Sequence, residues 1–232
     1  MKKRYALIDL WRTAALITMV AYHLIYDLGV FGLIAWGDVF SLCPQALQRF
    51  TCYSFIFISG ISCRFSSNNI KRGITTLVCA IIVSIVSFFT GMPILFGILH
   101  MLGVSMIFYG ISGKYLQLIP KYAAFALWLG LFIATKIWMD GAAPVETRLL
   151  FPLGFTYAGF SSSDYFPLLP WLFLFLSGTW LGGLLTGENV PVWLSKKPLP
   201  KWLTWPGRHT LVIYMIHQPV LYGLLFLFTK LR

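Results

Sequence analysis

The chain has 232 residues, of which 58% are hydrophobic and 11% charged. Its mean hydropathy is +0.78. A soluble domain of this size carries roughly a quarter charged residues. No polar stretch is long enough to form such a domain, so composition points to one membrane domain over residues 1–232. The net charge of +11 is not a nucleic-acid signature, because the basic residues sit in short segments between apolar runs. Cys43, Cys52, Cys63 and Cys79 have no CxxC spacing and read as packing residues. The MKKR start followed by an apolar run resembles a signal peptide, but no small-residue cleavage site follows, so the run reads as a retained helix.

A spanning helix needs roughly 20 mostly apolar residues. Seven segments qualify: 6–28, 47–65, 74–92, 94–112, 120–139, 166–186 and 210–230. The predicted fold is therefore an all-α, polytopic membrane helix bundle with about seven transmembrane helices. Placing the N-terminus in the cytoplasm puts 12 Lys and Arg inside and 5 outside, with Arg12 within the first span. That asymmetry predicts a cytoplasmic N-terminus and an external C-terminus.

The first helix carries Asp9, Arg12, His23 and Asp27. At about 100° per residue all four fall within about 60° of arc, forming one polar edge turned away from lipid. Asp9 and Arg12 lie one turn apart at the inner end and read as an ion pair. His23 lies about 16 Å further along the axis. It is an i,i+4 neighbour of Asp27 near the outer end. A carboxylate bonded to one imidazole nitrogen raises basicity at the other, which suits a general base.

In the second span, Ser59, Gly60 and Ser62 offer a close-packing surface near the cytoplasmic end. In the fourth, Gly97 and Gly103 flank His100, a second intramembrane histidine about two turns in from the outer end. The sixth opens on Ser161–Ser163, Asp164 and Pro167; Asp164 reads as its helix cap, or as an outer carboxylate orienting a substrate. In the seventh, Thr210, Tyr214, His217 and Gln218 share a face, and Pro219 predicts a kink that frees the carbonyl of Met215. Arg208 and His209 sit at its cytoplasmic mouth, where they can meet phosphate or simply anchor the helix. The sequence contains no Walker loop, GxSxG, HExxH or Cys/His metal cluster.

The run from Ile8 through Asp9, Arg12 and Met19 to His23 resembles the first-helix signature of membrane acyltransferases. The segments FISGIS, FGILHMLG, DYFPLLPW and GRHTLVIYMIHQP follow in the same order as in bacterial relatives of heparan-alpha-glucosaminide N-acetyltransferase. The resemblance covers nearly the whole chain. It implies a bacterial inner-membrane enzyme that moves an acyl group, most simply acetyl, from cytoplasmic acyl-CoA to a sugar or similar polar acceptor outside. It implies no metal, and a homodimer that completes the cavity of a short chain. The family's glycine after the arginine is Thr13 here. With no histidine in residues 29–46, the catalytic role moves to His23, with Asp27 as orienting carboxylate and His100 as an acceptor or oxyanion contact. Asp164, Tyr214, His217 and Gln218 are the implied substrate-binding residues. Arg12, Lys196, Lys197, Lys201, Arg208 and His209 are the implied CoA-binding residues. The same polar stripe also suits a transporter for a polar or anionic solute, although no internal repeat supports one. A non-enzymatic assembly subunit predicts neither activity.

Overall fold

The computed structural model describes residues 5–186 and 199–231, without the side chains of residues 121 and 122. Among these residues all regular structure is helical. The helices are α1 (Ala6–Val30), α2 (Trp36–Val39), α3 (Leu42–Cys63), α4 (Asn69–Phe89), α5 (Ile98–Leu116), α6 (Lys121–Asp140), α7 (Leu168–Leu185), α8 (Lys201–Arg208) and α9 (Thr210–Leu231). A short 3-10 turn covers Phe151–Leu153.

Each predicted span has a helix at its place. Among the described residues five helical stretches are long and apolar enough to cross a membrane: α1, α4, Ala123–Asp140 of α6, α7 and α9. Helices α3 and α5 have the length, at 22 and 19 residues. Their apolar runs are diluted by Gln45, Gln48 and Arg49 in α3, and by His100, Ser112 and Lys114 in α5. The outward residues of α4 and α9 are large and aliphatic. Ile74, Val78, Ile81 and Ile85 are exposed on α4, and Val212, Ile216, Val220 and Leu224 on α9. Such stripes suit contact with lipid, where apolar exposure carries no penalty. The chain is an all-helical integral membrane protein.

The residues group into two compact units. The first joins Met1–Phe55 to Pro191–Arg232. Its central stave is α1, on which α8 and α9 pack. The α1–α8 contact is close because position 207 is glycine: a Cβ there would collide with the carbonyl oxygen of Asp9. Thr13 fills the same seam. Its hydroxyl accepts from Gly207 N–H (3.0 Å) and lies 2.8 Å from the Leu203 carbonyl oxygen, to which it can donate. The first turns of α3 join α1 through Trp11 Nε1–H to Ser54 Oγ (3.0 Å) and through the Thr18–Thr51 hydroxyl pair (2.7 Å).

The second unit is contiguous, Ile56–Val190. Here α4 packs on α5 and α6 on α7. Gly73 and Gly103 face each other across the α4–α5 seam, where a Cβ on either would press on the other's carbonyl. Gly60 and Gly178 do the same between α3 and α7, against the backbones of Phe175 and Phe57. Small residues allow this approach, which provides packing where lipid supplies no hydrophobic drive. Ile56, Ile58, Ile61 and Phe175 are buried around that crossing.

Candidate active site

Two consecutive residues of α9 meet two residues one turn apart on α1. The ring of His217 lies edge-on to His23, with centroids 4.9 Å apart. Gln218 donates its amide to both carboxylate oxygens of Asp27, at 2.8 and 3.0 Å. Asp27 is 2% exposed and His217 8%, so both are withdrawn from lipid and solvent, as ionisable groups at membrane depth must be. Tyr22 packs against His23, and Tyr214 against His217. The first unit thus brings together His23, Asp27, Tyr214, His217 and Gln218.

The pairing differs from the i,i+4 expectation in one respect. No hydrogen bond joins His23 to Asp27 among the described residues; the carboxylate is held by Gln218 instead. On one helix, side chains four apart project in parallel, so a residue facing both from another helix competes for the carboxylate. Helix α9 runs as one helix through Pro219, and His217 Nδ1 lies 2.6 Å from the carbonyl oxygen of Tyr214.

At the other end of α1 the Asp9–Arg12 pair forms at 2.6 Å, as the spacing predicts. Arg208 joins it, with Nε 3.4 Å from the second oxygen of Asp9. One carboxylate therefore faces two guanidinium groups. Lys201 is exposed on α8. His209 lies on the indole of Trp205, with centroids 4.5 Å apart, and its Nδ1 is 2.9 Å from the Trp205 carbonyl oxygen. Lys196 and Lys197 lie outside the described residues.

In the second unit, His100 and Asp164 meet at the N-terminus of α5. Gly97 N–H donates to His100 Nδ1 (3.2 Å), and Asp164 accepts from Ile98 N–H (2.9 Å). Asp164 thus caps α5, not its own helix α7, which Pro167 precedes. The loop folds back because Phe166 N–H donates to the Phe96 carbonyl and Ser163 N–H to that of Pro93. Burial pushes the Asp164 carboxyl up to about 6, against the opposing pull of the Ile98 N–H. Beside it the Tyr165 hydroxyl, which donates to the Phe151 carbonyl at 2.6 Å, is pushed up to about 12 by burial. His100 has the tautomer opposite to that of a ring whose Nδ1 meets a carbonyl. Its Nδ1 accepts, so Nε2 carries the hydrogen and points to Ser84 Oγ at a loose 3.5 Å.

Sequence reasoning missed Thr13 as the residue that ties α1 to α8 and missed α8 itself, although Gly207 beside Pro206 marks a close approach. It also missed Tyr22, whose contact with His23 follows from adjacency alone. No group of three or more His, Cys, Asp or Glu able to hold a metal occurs among the described residues.

Comparison with curated proteins and with solved structures matched nothing. A match does arise with the family described as heparan-alpha-glucosaminide N-acetyltransferase, catalytic, and it spans residues 4–219. It therefore takes in the histidine pair, Asp27 and Gln218 together. On that extent of agreement, the chain belongs to the heparan-alpha-glucosaminide N-acetyltransferase catalytic family, a family of membrane acetyltransferases.

Proposed function

We propose that the protein transfers an acetyl group from cytoplasmic acetyl-CoA to a sugar or similarly polar acceptor at the outer face of the bacterial inner membrane. In this reading residues 1–232 act as one catalytic domain. All seven long helices span the membrane, with the N-terminus inside and the C-terminus outside. The observation that carries it is the His23–His217 and Asp27–Gln218 arrangement, in which Asp27 and His217 are buried, on helices within the family match. A histidine of this pair can move the acceptor's proton while the acceptor attacks the thioester carbonyl.

The donor's phosphates are assigned to Arg12, Arg208, His209 and Lys201, with Lys196 and Lys197 completing the set. Support comes from charge. Arg12 and Arg208 share the single carboxylate of Asp9, so the trio keeps a net positive charge that a phosphate can complement. Tyr214 and Gln218 contact the acceptor in this reading. His100 and Asp164 belong to the second unit, where Asp164 holds the helix end that carries His100.

Purified protein incubated with acetyl-CoA and an amino-sugar acceptor is expected to release free CoA thiol and form acetylated acceptor. His23→Ala is expected to lower the rate by at least about 10-fold. Unchanged thiol release in that variant removes His23 from the site. Solute uptake into liposomes without CoA, and no thiol release, would replace the enzyme reading by a transporter.

A further inference from the structure

Buried polar groups nearly always have a partner, so an orphan calls for a reason. Two lie side by side in sequence on α9: Nε2 of His217 and Oε1 of Gln218 have no hydrogen-bond partner among the described residues. The opposite end of each group is committed. The Gln218 amide nitrogen is spent on Asp27, which turns the carbonyl oxygen away from it. His217 Nδ1 lies 2.6 Å from the Tyr214 carbonyl oxygen. A carbonyl only accepts, so Nδ1 holds the hydrogen of the neutral ring and Nε2 holds the lone pair.

The protein's other histidines lack this combination. His100 has the reverse tautomer, with its lone pair occupied by Gly97 N–H. His209 donates to the Trp205 carbonyl but is exposed, just past the end of α8. His23 has no hydrogen bond among the described residues that selects its tautomer. His217 alone joins burial to a lone pair fixed in place and unoccupied. Both orphan atoms accept hydrogen bonds, and the Asp27 carboxylate next to them is a third acceptor. Such a site fits a hydroxyl or amine donor and repels an anion.

Resting on the acyl-transfer reading, we propose that Nε2 of His217 is the general base that takes the acceptor's proton, and that His23 is a positioning residue that packs its ring from α1. The acceptor is then a hydroxyl- or amine-bearing molecule with a second hydrogen-bond donor for Gln218 Oε1. In the step, the acceptor's oxygen or nitrogen forms a bond to the thioester carbonyl carbon and its proton passes to Nε2. The carbon–sulfur bond breaks, and the leaving thiolate takes the proton from the His217 imidazolium, giving free CoA thiol and a neutral base.

The titratable groups that face the ring are His23 from α1 and Tyr214 of its own helix; beyond them stand Tyr22, packed on His23, and Asp27, held by Gln218. The test uses the detergent-purified full chain with acetyl-CoA and glucosamine, following thiol release against pH, together with ring-15N histidine NMR. His217→Asn keeps a side-chain N–H in reach of the Tyr214 carbonyl and deletes Nε2; His217→Gln is the second variant should the first fold poorly. Either is expected to lose at least about 100-fold in kcat, with KM for acetyl-CoA within about threefold and the acid limb of the pH–rate profile gone. His23→Gln is expected to lose about 10-fold and keep that limb. In the wild type, NMR is expected to show His217 with Nδ1 protonated and Nε2 bare, the signals being assigned by their loss in the variant. A His217 variant within threefold of wild type, an acid limb that vanishes with His23 instead, or a His217 ring protonated on Nε2 overturns the proposal, the last even if neither variant folds. Absence of thiol release from wild type whose NMR shows the bare Nε2 rejects the acyl-transfer reading itself, and the base assignment with it.

Discussion

Asp164 shows what one side chain does for the second unit. It stands in a loop, yet its carboxylate accepts the first N–H of α5 and packs where a Cβ on Gly97 would be. Burial raises its folded pKa from 3.8 to about 6. A raised carboxyl binds its proton more tightly when folded, so its contribution to stability is complete below about pH 4 and is lost as pH rises through about 6. The change amounts to less than about 3 kcal/mol, because the residue is part-exposed and water screens it. Asp164→Asn keeps an acceptor oxygen for Ile98 without a titrating group. Melting of detergent-solubilised protein between pH 4 and 7 is expected to show a flatter profile in Asp164→Asn than in wild type; an identical slope rules this origin out. Asp164→Ala is expected to cost about 1 kcal/mol more, as a lost helix cap does. At this scale the sequence was partly readable. Asp164 was recognisable as a capping residue, but which helix it caps depends on the loop's return to Phe96, and no local spacing reports that.

Among the elements, the α1–α8 seam is the most specific. Gly207 and Thr13 are both needed there: one removes a Cβ, and the other supplies a hydroxyl to a glycine N–H and a carbonyl at once. Gly207→Ala is expected to destabilise by about 1–3 kcal/mol through overpacking. Thr13→Val is expected to cost a similar amount by leaving the buried Gly207 N–H unpaired. The two share one seam, so their combined effect should be less than the sum. Thermal melts read this directly, with Gly130→Ala in α6 as the control, since a Cβ there meets nothing within 4 Å. Additive losses, or a Gly130 variant as damaged as Gly207→Ala, would discard the seam as the cause. Helix boundaries illustrate the limits of hydropathy in the same way. Helix α4 starts at Asn69, five residues before the predicted 74, because Asn68 caps it through Lys71 N–H while Lys71 and Arg72 still belong to the helix. Helix α3 starts at Leu42 instead of 47 for the same reason: Gln45 and Arg49 make polar helical turns that an apolar window excludes.

For the molecule as a whole, the polar stripe on α1 was readable from periodicity, since Asp9, Arg12, His23 and Asp27 fall on one edge. The partners of that stripe were not. Which residues of α9 face His23 and Asp27 depends on the rotation and axial register of two helices nearly 200 residues apart in sequence. The topology has its own test. With the N-terminus inside and seven spans, a C-terminal alkaline phosphatase fusion is expected to be active and a C-terminal green fluorescent protein fusion dark. The reverse result would mean that α3 or α5, the two helices of weaker hydropathy, does not cross.

The division of the chain between its units also sets an order of events during synthesis. Residues 56–190 form one unbroken stretch, whereas the first unit joins segments from either side of it. When α1 enters the bilayer, Asp27 and His23 have no counterpart, because Gln218 and His217 follow the whole of the second unit in the chain. An unpartnered Asp at the centre of a span is opposed by roughly 2.5–3.5 kcal/mol, and one nearer the outer end, like Asp27, by less. Helix α1 therefore stays unsettled in the nascent chain until α9 has been made, and the intervening segment can condense around its Gly60–Gly178 crossing well before then. The His23–His217 and Asp27–Gln218 contacts therefore form only after the whole second unit has been made, so a chain that stops within that unit leaves α1 without its partners and open to membrane proteases.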